Sequence, residues 1–275
     1  MRLCFSTLPC GTLSVPALIA LCGRHGIPGI ELRLDQENRF LGTDCLRDMA
    51  DFGRAFSEAG IRVPDLGSSI RMTGYDPAIV RAGRHCMEMA RCVGAQGVRV
   101  FLGNVCRRYD APRQPIDLDG ICRALRALCD HADTEIWIET HNEFATGRTL
   151  AELLCAVGRK NLRIIWDLMH PFEDGETPEE TWNRLRGQIA HVHIKDGRPS
   201  ADPACHDFVY TRLGDGKVPC AEAAALLKRA GFQGFLSLEW ENPWREELAV
   251  YPADMDWILN EFTHFMKKLG VEAAI

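Results

Sequence analysis

Short apolar runs of strand length recur eight times along this chain, and a longer stretch with helical spacing follows each one. The runs fall at 3–8, 29–34 (GIELRL), within 61–70, and at 98–102 (VRVFL), 135–140 (EIWIET), 162–168 (LRIIWDL), 189–194 (IAHVHI) and 234–240 (GFLSLEW). Helices are predicted at 16–25, 46–59, 77–93, 118–131, 149–157, 178–186, 221–230 and 253–269. Pro16, Pro77 and Pro178 stand where helices begin, a place where the missing N–H has no partner to lose. Strands that alternate with helices imply crossover connections and a parallel sheet. Eight such units in 275 residues match a closed barrel of about 250 residues. The expected fold is α/β, a single (β/α)₈ barrel forming one domain over residues 1–275. An open doubly wound sheet produces the same alternation, but no Gly-x-Gly-x-x-Gly follows the first strand. The longest irregular stretch, 196–219, follows the seventh strand and is predicted to lie over the barrel mouth.

Composition narrows the function classes. The net charge is -6, and the basic pairs Arg107–Arg108 and Lys267–Lys268 are short, so no basic stripe for nucleic acid is expected. No apolar run approaches the roughly 20 residues of a membrane span, and the first residues lack a signal-peptide pattern. The twelve cysteines contain no Cys-x-x-Cys pair. Cys22, Cys86, Cys122, Cys129 and Cys155 fall in apolar helical stretches and read as small buried hydrophobes of a reducing, cytoplasmic compartment.

Chemistry in such a barrel belongs at the C-terminal ends of the strands. The last four strands end in Glu139-Thr140-His141, Asp167-Leu168-Met169-His170, His191-Val192-His193-Ile194-Lys195-Asp196 and Glu239-Trp240-Glu241. One acid at a strand end is usually a salt-bridge or cap partner. Four consecutive strands delivering carboxylate or imidazole to one rim are harder to explain that way. Three crowded carboxylates would repel and drive their pKa values up, a cost that a divalent cation removes. Oxygen ligands with one imidazole suit Mn²⁺ first, with Mg²⁺, Co²⁺ and Zn²⁺ as alternatives. Alternation puts His191 and His193 on one face, and His193 lies nearer the mouth. His191 is expected to be a hydrogen-bonded core residue. Glu139 and Glu239, closer to their strands than His141 and Glu241, complete a ligand set of Glu139, Asp167, His193 and Glu239. Glu31 and Arg33 on the second strand are candidates to face the mouth, with a rim salt bridge as the other reading. His141 and Glu241 fall in outer or substrate positions.

GIELR at 29–33, IETHNEFATG at 138–147, WDLMHP at 166–171, HVHIKDG at 191–197, RLGDGKVP at 212–219 and FLSLEWE at 235–241 together resemble the sugar phosphate isomerase/epimerase family, the xylose isomerase-like TIM barrels. The resemblance implies a metal held by the same four residues. It also implies that Glu139 and Glu239 form a catalytic acid/base pair. His170, and Arg198 at a shifted offset, would touch substrate. ETHNEF departs from ketose epimerases toward inosose-dehydratase-like members.

The expected function is divalent-metal-dependent isomerisation or epimerisation of a ketose or related polyol ketone, with proton transfer through a metal-stabilised enediolate. If the enediolate expels a β-hydroxyl, the same site is a dehydratase acting on a keto-cyclitol or keto-sugar. The partner is then a small sugar or cyclitol, with no nucleic acid and no membrane. An apurinic endonuclease would need further histidines on the early strands, which end in Thr7, Arg33, Ser68–Ser69 and Asn104. A non-catalytic subunit with the same barrel is a third class. Arg198, His206, Arg212 and Lys217 could meet a substrate phosphate or form an exposed charged loop. Trp244, Tyr251 and Trp257 are candidates for a homo-oligomer interface, the mouth or core packing.

Overall fold

The computed structural model describes residues 1–104, 113–202 and 207–272. Strands β1 (Arg2–Ser6), β2 (Gly29–Arg33), β3 (Asp65–Met72), β4 (Gly97–Leu102), β5 (Glu135–Glu139), β6 (Leu162–Asp167) and β7 (Ile189–Ile194) follow one another in parallel. Two short strands, β8 (Asp196–Pro199) and β9 (Phe208–Thr211), pair antiparallel outside the barrel. Strand β10 (Phe235–Leu238) pairs with both β7 and β1 and closes an eight-stranded barrel. The expected (β/α)₈ architecture is thus observed. Helices α1 (Val15–His25), α2 (Leu46–Glu58), α3 (Pro77–Val93), α4 (Leu118–Cys129) and α5 (Gly147–Val157) cover the outside. A short α6 (Met169–Glu173) precedes α7 (Pro178–Leu185), and α8 (Cys220–Arg229) and α9 (Met255–Lys268) complete the ring.

Two features depart from the sequence reading. Asp167 Oδ1 accepts hydrogen bonds from the backbone N–H of Met169 (2.8 Å) and His170 (3.4 Å), which starts α6 directly after β6. The stretch predicted to be irregular contains the β8–β9 hairpin. Asp196 pins it, its carboxylate accepting N–H bonds from Gly197, Gly214, Gly216 and Val218 at 2.8–3.1 Å. The Arg107–Arg108 pair and His206 lie outside the described residues.

Outward-facing strand residues such as Val98, Val100, Val192 and Ile194 are fully buried beneath the helices. That apolar shell supplies most of the stabilisation, at roughly 25 cal/mol per Å² of apolar area removed from water. Inside, the floor is apolar. The Trp137 ring stacks on His191 at 5.7 Å between centroids, and Phe235 lies close to that histidine. Gly97 and Gly29 make room for these rings, since a Cβ on either would lie 2.4 Å from Trp137 and 2.5 Å from Phe235. Above this floor the interior turns polar: Glu31, Asp65, Arg99, His191 and His193 are all buried. The ten described cysteines are free, and most are buried as expected, but Cys155 is exposed. Trp240, Tyr251 and Trp257 pack on one another at 5.8–6.2 Å, which assigns Tyr251 and Trp257 to packing, whereas Trp244 stays 46% exposed at the mouth.

Candidate metal centre

The ends of β5, β6 and β7 and the residue after β10 bring Glu139, Asp167, His193 and Glu239 together, one potential ligand atom from each lying within 4.8 Å of the others. All four are buried. Parallel pairing explains the convergence: Asp167 is in register with His193, and His193 with Ser237, so the side chains reach inward at similar height.

The orientation of His193 is built in. Its Nε2 lies 2.8 Å from Glu31 Oε2, and its Nδ1 points at Glu139 Oε1 and Glu239 Oε2, 3.6 Å from each. Nδ1 makes no hydrogen bond of good geometry, and Asp167 Oδ2 faces the Lys195 ammonium at 2.9 Å. Three carboxylate oxygens converging with one imidazole nitrogen fit a divalent ion. A carboxylate behind a ligating imidazole is the arrangement that fixes its tautomer. Glu31 therefore does not face the mouth as a substrate contact. It lies below the centre, as the partner of His193.

Two cations missed by the sequence reading complete the centre. Arg99 Nη1 lies 3.1 Å from Glu139 Oε2 and 3.2 Å from Glu239 Oε1. Lys195 Nζ lies 2.9 Å from Asp167 Oδ2, 2.8 Å from Glu239 Oε2 and 2.6 Å from Glu241 Oε1. Both were detectable, because Arg99 alternates with Val98 and Val100, and Lys195 is two residues beyond His193 on the same inward face. They overturn a simple expectation about acidity. Burial pushes Glu239 up, but Lys195, His193 and Arg99 together hold it well below the carboxylate range. Burial and Glu239 push Glu139 up, and Arg99 with His193 still holds it low. Among the three acidic ligands only Asp167 is raised, because burial outweighs Lys195 and His170. Burial lowers His193, yet Glu31, Glu239 and Glu139 hold the imidazole well above its ordinary value without metal.

A cavity of about 220 Å³ opens onto the centre and is walled by Arg33, Arg99, Phe101, Glu139, His141 and Trp244, among others. That is below the 300–1,000 Å³ of drug-sized pockets and suits one small polar ring. His141 faces it, and its ring meets His170 edge-on at 4.4 Å. Burial, then His170, pulls His141 down to about 3. His170 moves the other way, because Asp167 and Glu173 outweigh burial and Lys195. Its Nδ1 lies 2.8 Å from Glu173, while its Nε2 and the Nδ1 of His141 are buried without partners. A second cavity of about 20 Å³, lined by His141, His170, Asp207 and Arg245 among others, has room for one water.

Arg33 does reach the cavity, as expected. Arg198 does not line it: the residue is exposed on β8, in the hairpin outside the barrel. Arg212 is committed to Asp215 and Glu261, and Glu241 holds Lys195, Tyr210 and Arg245. His191 is buried under the centre with its Nε2 3.4 Å from Glu31, and neither ring nitrogen makes a hydrogen bond of good geometry.

A closed parallel barrel with an acid–imidazole cluster at its strand ends defines a class, and comparison with known proteins agrees. The chain belongs to the xylose isomerase-like TIM barrel family, whose model matches residues 19–261. It is 30% identical over 125 residues to inosose dehydratase of Clostridium botulinum (strain Eklund 17B / Type B), an alignment that spans 40% of this chain and less than half, 42%, of that protein. Among solved structures it is similar to D-allulose 3-epimerase from Methylomonas sp., at 21% identity and TM-score 0.72 over 98% of both chains. It is also similar to the IOLI protein with a bound zinc atom, at 21% identity and TM-score 0.75 over 98% of this chain and 99% of that one. No helix among the described residues is long and apolar enough to cross a membrane.

Proposed function

We propose that this chain is a divalent-metal-dependent lyase that removes a proton beside the carbonyl of a polyhydroxylated ketone and then expels a β-hydroxyl as water. The observation that carries this reading is the convergence of Glu139, Asp167, His193 and Glu239 on a small cavity that His141 also lines. These four residues would hold Mn²⁺, Mg²⁺, Co²⁺ or Zn²⁺, and the zinc in a neighbour of the same fold is in keeping with that. A divalent ion held there polarises a carbonyl oxygen and so acidifies the adjacent C–H.

The chain's own groups supply the proton movements. Two histidines in contact whose environments push their pKa values apart make an acid and a base. His141, kept neutral by burial and His170 and standing on the cavity wall, accepts the proton from carbon. His170, held at Nδ1 by Glu173, gives a proton to the departing hydroxyl through the water-sized space it shares with His141, and the hydroxyl leaves as water. The proton gained by His141 then returns to His170 through the water-sized cavity that both line, which resets the pair. Arg99 and Lys195 hold Glu139 and Glu239 as carboxylates, which favours ligation over proton shuttling. The likeness to a dehydratase supports the same choice.

Isomerisation or epimerisation is the second reading, favoured by the placement of both Glu139 and Glu239 on the cavity wall. Metal-loaded protein incubated in D₂O with a panel of keto-cyclitols and keto-sugars separates the two. Loss of water to an enone, abolished by chelator, is the expected result. Deuterium on a retained hydroxylated carbon would establish the second reading. Neither exchange nor water loss with metal bound would sink both.

A further inference from the structure

The cavity wall carries four guanidinium groups, Arg33, Arg71, Arg99 and Arg245, against three carboxylates, Glu139, Glu239 and Glu241. Two of the four are plainly committed to those acids. Arg99 bridges Glu139 and Glu239, and Arg245 Nε lies 3.2 Å from Glu241. Arg33 is different. Its hydrogen bonds go to the carbonyls of Leu34 and Gly67 and to Ser69 Oγ, all uncharged. No carboxylate among the described residues forms an ion pair with it.

The cost of that arrangement is visible in its surroundings. Arg33 Nε is shut off from solvent and has no hydrogen-bond partner. With three of five N–H donors used and Nε–H shut in, one Nη2–H remains for a ligand. Burial, reinforced by the like charge of Arg99, pulls the guanidinium down to about 9. A partly buried cation without a counter-ion is expensive, and proteins normally pair it. Trp244 confines it, with the guanidinium 5.6 Å from the ring centre. Arg33 also borders a second groove, outside the centre, that Trp244 and Leu8 share. The unpaired cation thus lies on the route into the site and beside the reacting cavity.

We propose that the substrate carries an oxyanion, a carboxylate or a phosphate, and that Arg33 is its counter-ion, with Arg71 on the same wall. This deepens the function proposed above and rests on it only for the ketone half of the substrate. Guanidinium suits the task because its charge and its remaining Nη2–H can make a charge-assisted hydrogen bond to either anion. Charge complementarity would also discriminate against neutral sugars of the same size, which leave Arg33 uncompensated.

Binding to the metal-loaded protein tests this without turnover. Four probes are titrated calorimetrically: quinate, its neutral methyl ester, myo-inositol 1-phosphate and myo-inositol. In at least one pair the anion should bind at least about tenfold more tightly than its neutral partner, within the range of a charge-assisted bond. The pair that shows the preference identifies carboxylate or phosphate. In Arg33→Met the anion-to-neutral ratio should fall to within about twofold, and Arg33→Lys should restore part of it. Equal binding of anion and neutral partner by the wild type would overturn the proposal, as would a preference that survives in Arg33→Met. Should Arg33→Met fold poorly, the wild-type ratio and its loss in 0.5 M against about 0.05 M salt carry the test. Arg33-dependent anion binding with no proton abstraction on any ketone would uphold this inference and reject the lyase reading. Turnover of neutral ketones with no anion preference would do the reverse.

Discussion

Replacing Lys195 with methionine should tighten metal binding while weakening the metal-free fold. The ammonium lies within 3 Å of three carboxylates, the buried Asp167 and Glu239 and the partly buried Glu241. Burial presses it toward neutrality, yet those three acids hold it charged, well above its ordinary value. Removing one partner of a buried ion pair costs about 3–5 kcal/mol, because the remaining charges stay buried without compensation. Two of the oxygens that lose their cation, on Asp167 and Glu239, belong to residues that would ligate the metal. A divalent ion therefore competes with Lys195 in the wild type and replaces it in the variant. If the ion restores about half of the loss, near 2 kcal/mol, the variant binds it about 30-fold more tightly.

Two measurements separate the effects. Urea unfolding in chelator should show the loss, and unfolding with saturating Mn²⁺ should show much less of it. Competition with a chelator of known affinity should show the lowered Kd. An unchanged or raised Kd in a variant that is folded when loaded would refute the idea that Lys195 and the ion share these oxygens.

Glu31→Gln should act in the opposite sense, weakening metal binding about 10–100-fold, since the carboxylate that orients His193 loses its charge; the same chelator competition reads it, and an unchanged Kd would remove Glu31 from the centre. Gly97→Ala should destabilise by about 2–3 kcal/mol, because its Cβ would lie 2.4–2.6 Å from the Trp137 indole; a shift in the urea midpoint below a tenth of that size would contradict the packing described for the floor. Asp65 is buried with both oxygens unpartnered, and burial with Glu31 beside it raises its pKa well above the ordinary value. A raised acid binds its proton more tightly when folded, so the wild type should lose stability as pH climbs from the unfolded value near 4 toward the folded one. Relative to Asp65→Asn, that loss should exceed about 1 kcal/mol between pH 4 and 7 in chelator, and a difference independent of pH would show that the group is not protonated.

What the sequence revealed follows the reach of period-two alternation. That rule places Glu139, Asp167 and His193 at strand ends on an inward face, and the barrel does the rest by parallel pairing. Alternation assigns a face but not a depth. Glu31 was therefore read as a mouth residue, when its pairing with Ser6 puts it under His193. Long cations were lost for another reason. Arg99 and Lys195 stand on inward positions among apolar neighbours, but their partners are set by closure of the barrel, Glu239 lying 140 residues beyond Arg99. No local pattern encodes that distance. Arg198 failed because it stands on β8, a hairpin strand outside the barrel, where its side chain is exposed and does not line the cavity.

These omissions bear on function more than the successes do. In the proposed function the carboxylate–imidazole centre accounts for the first chemical step, loss of a proton beside a polarised carbonyl, and leaves the outcome open. The outcome depends on which groups can carry protons and what the cavity wall selects. Arg99 and Lys195 keep Glu139 and Glu239 ionised, so proton traffic shifts to the neighbouring imidazoles, whose free nitrogens lie beside a space the size of one water. Arg33 meanwhile leaves a guanidinium on the wall with which no described acid forms an ion pair. The charged residues around the ligands, rather than the ligands themselves, thus argue for elimination over epimerisation and for an anionic substrate over a neutral sugar.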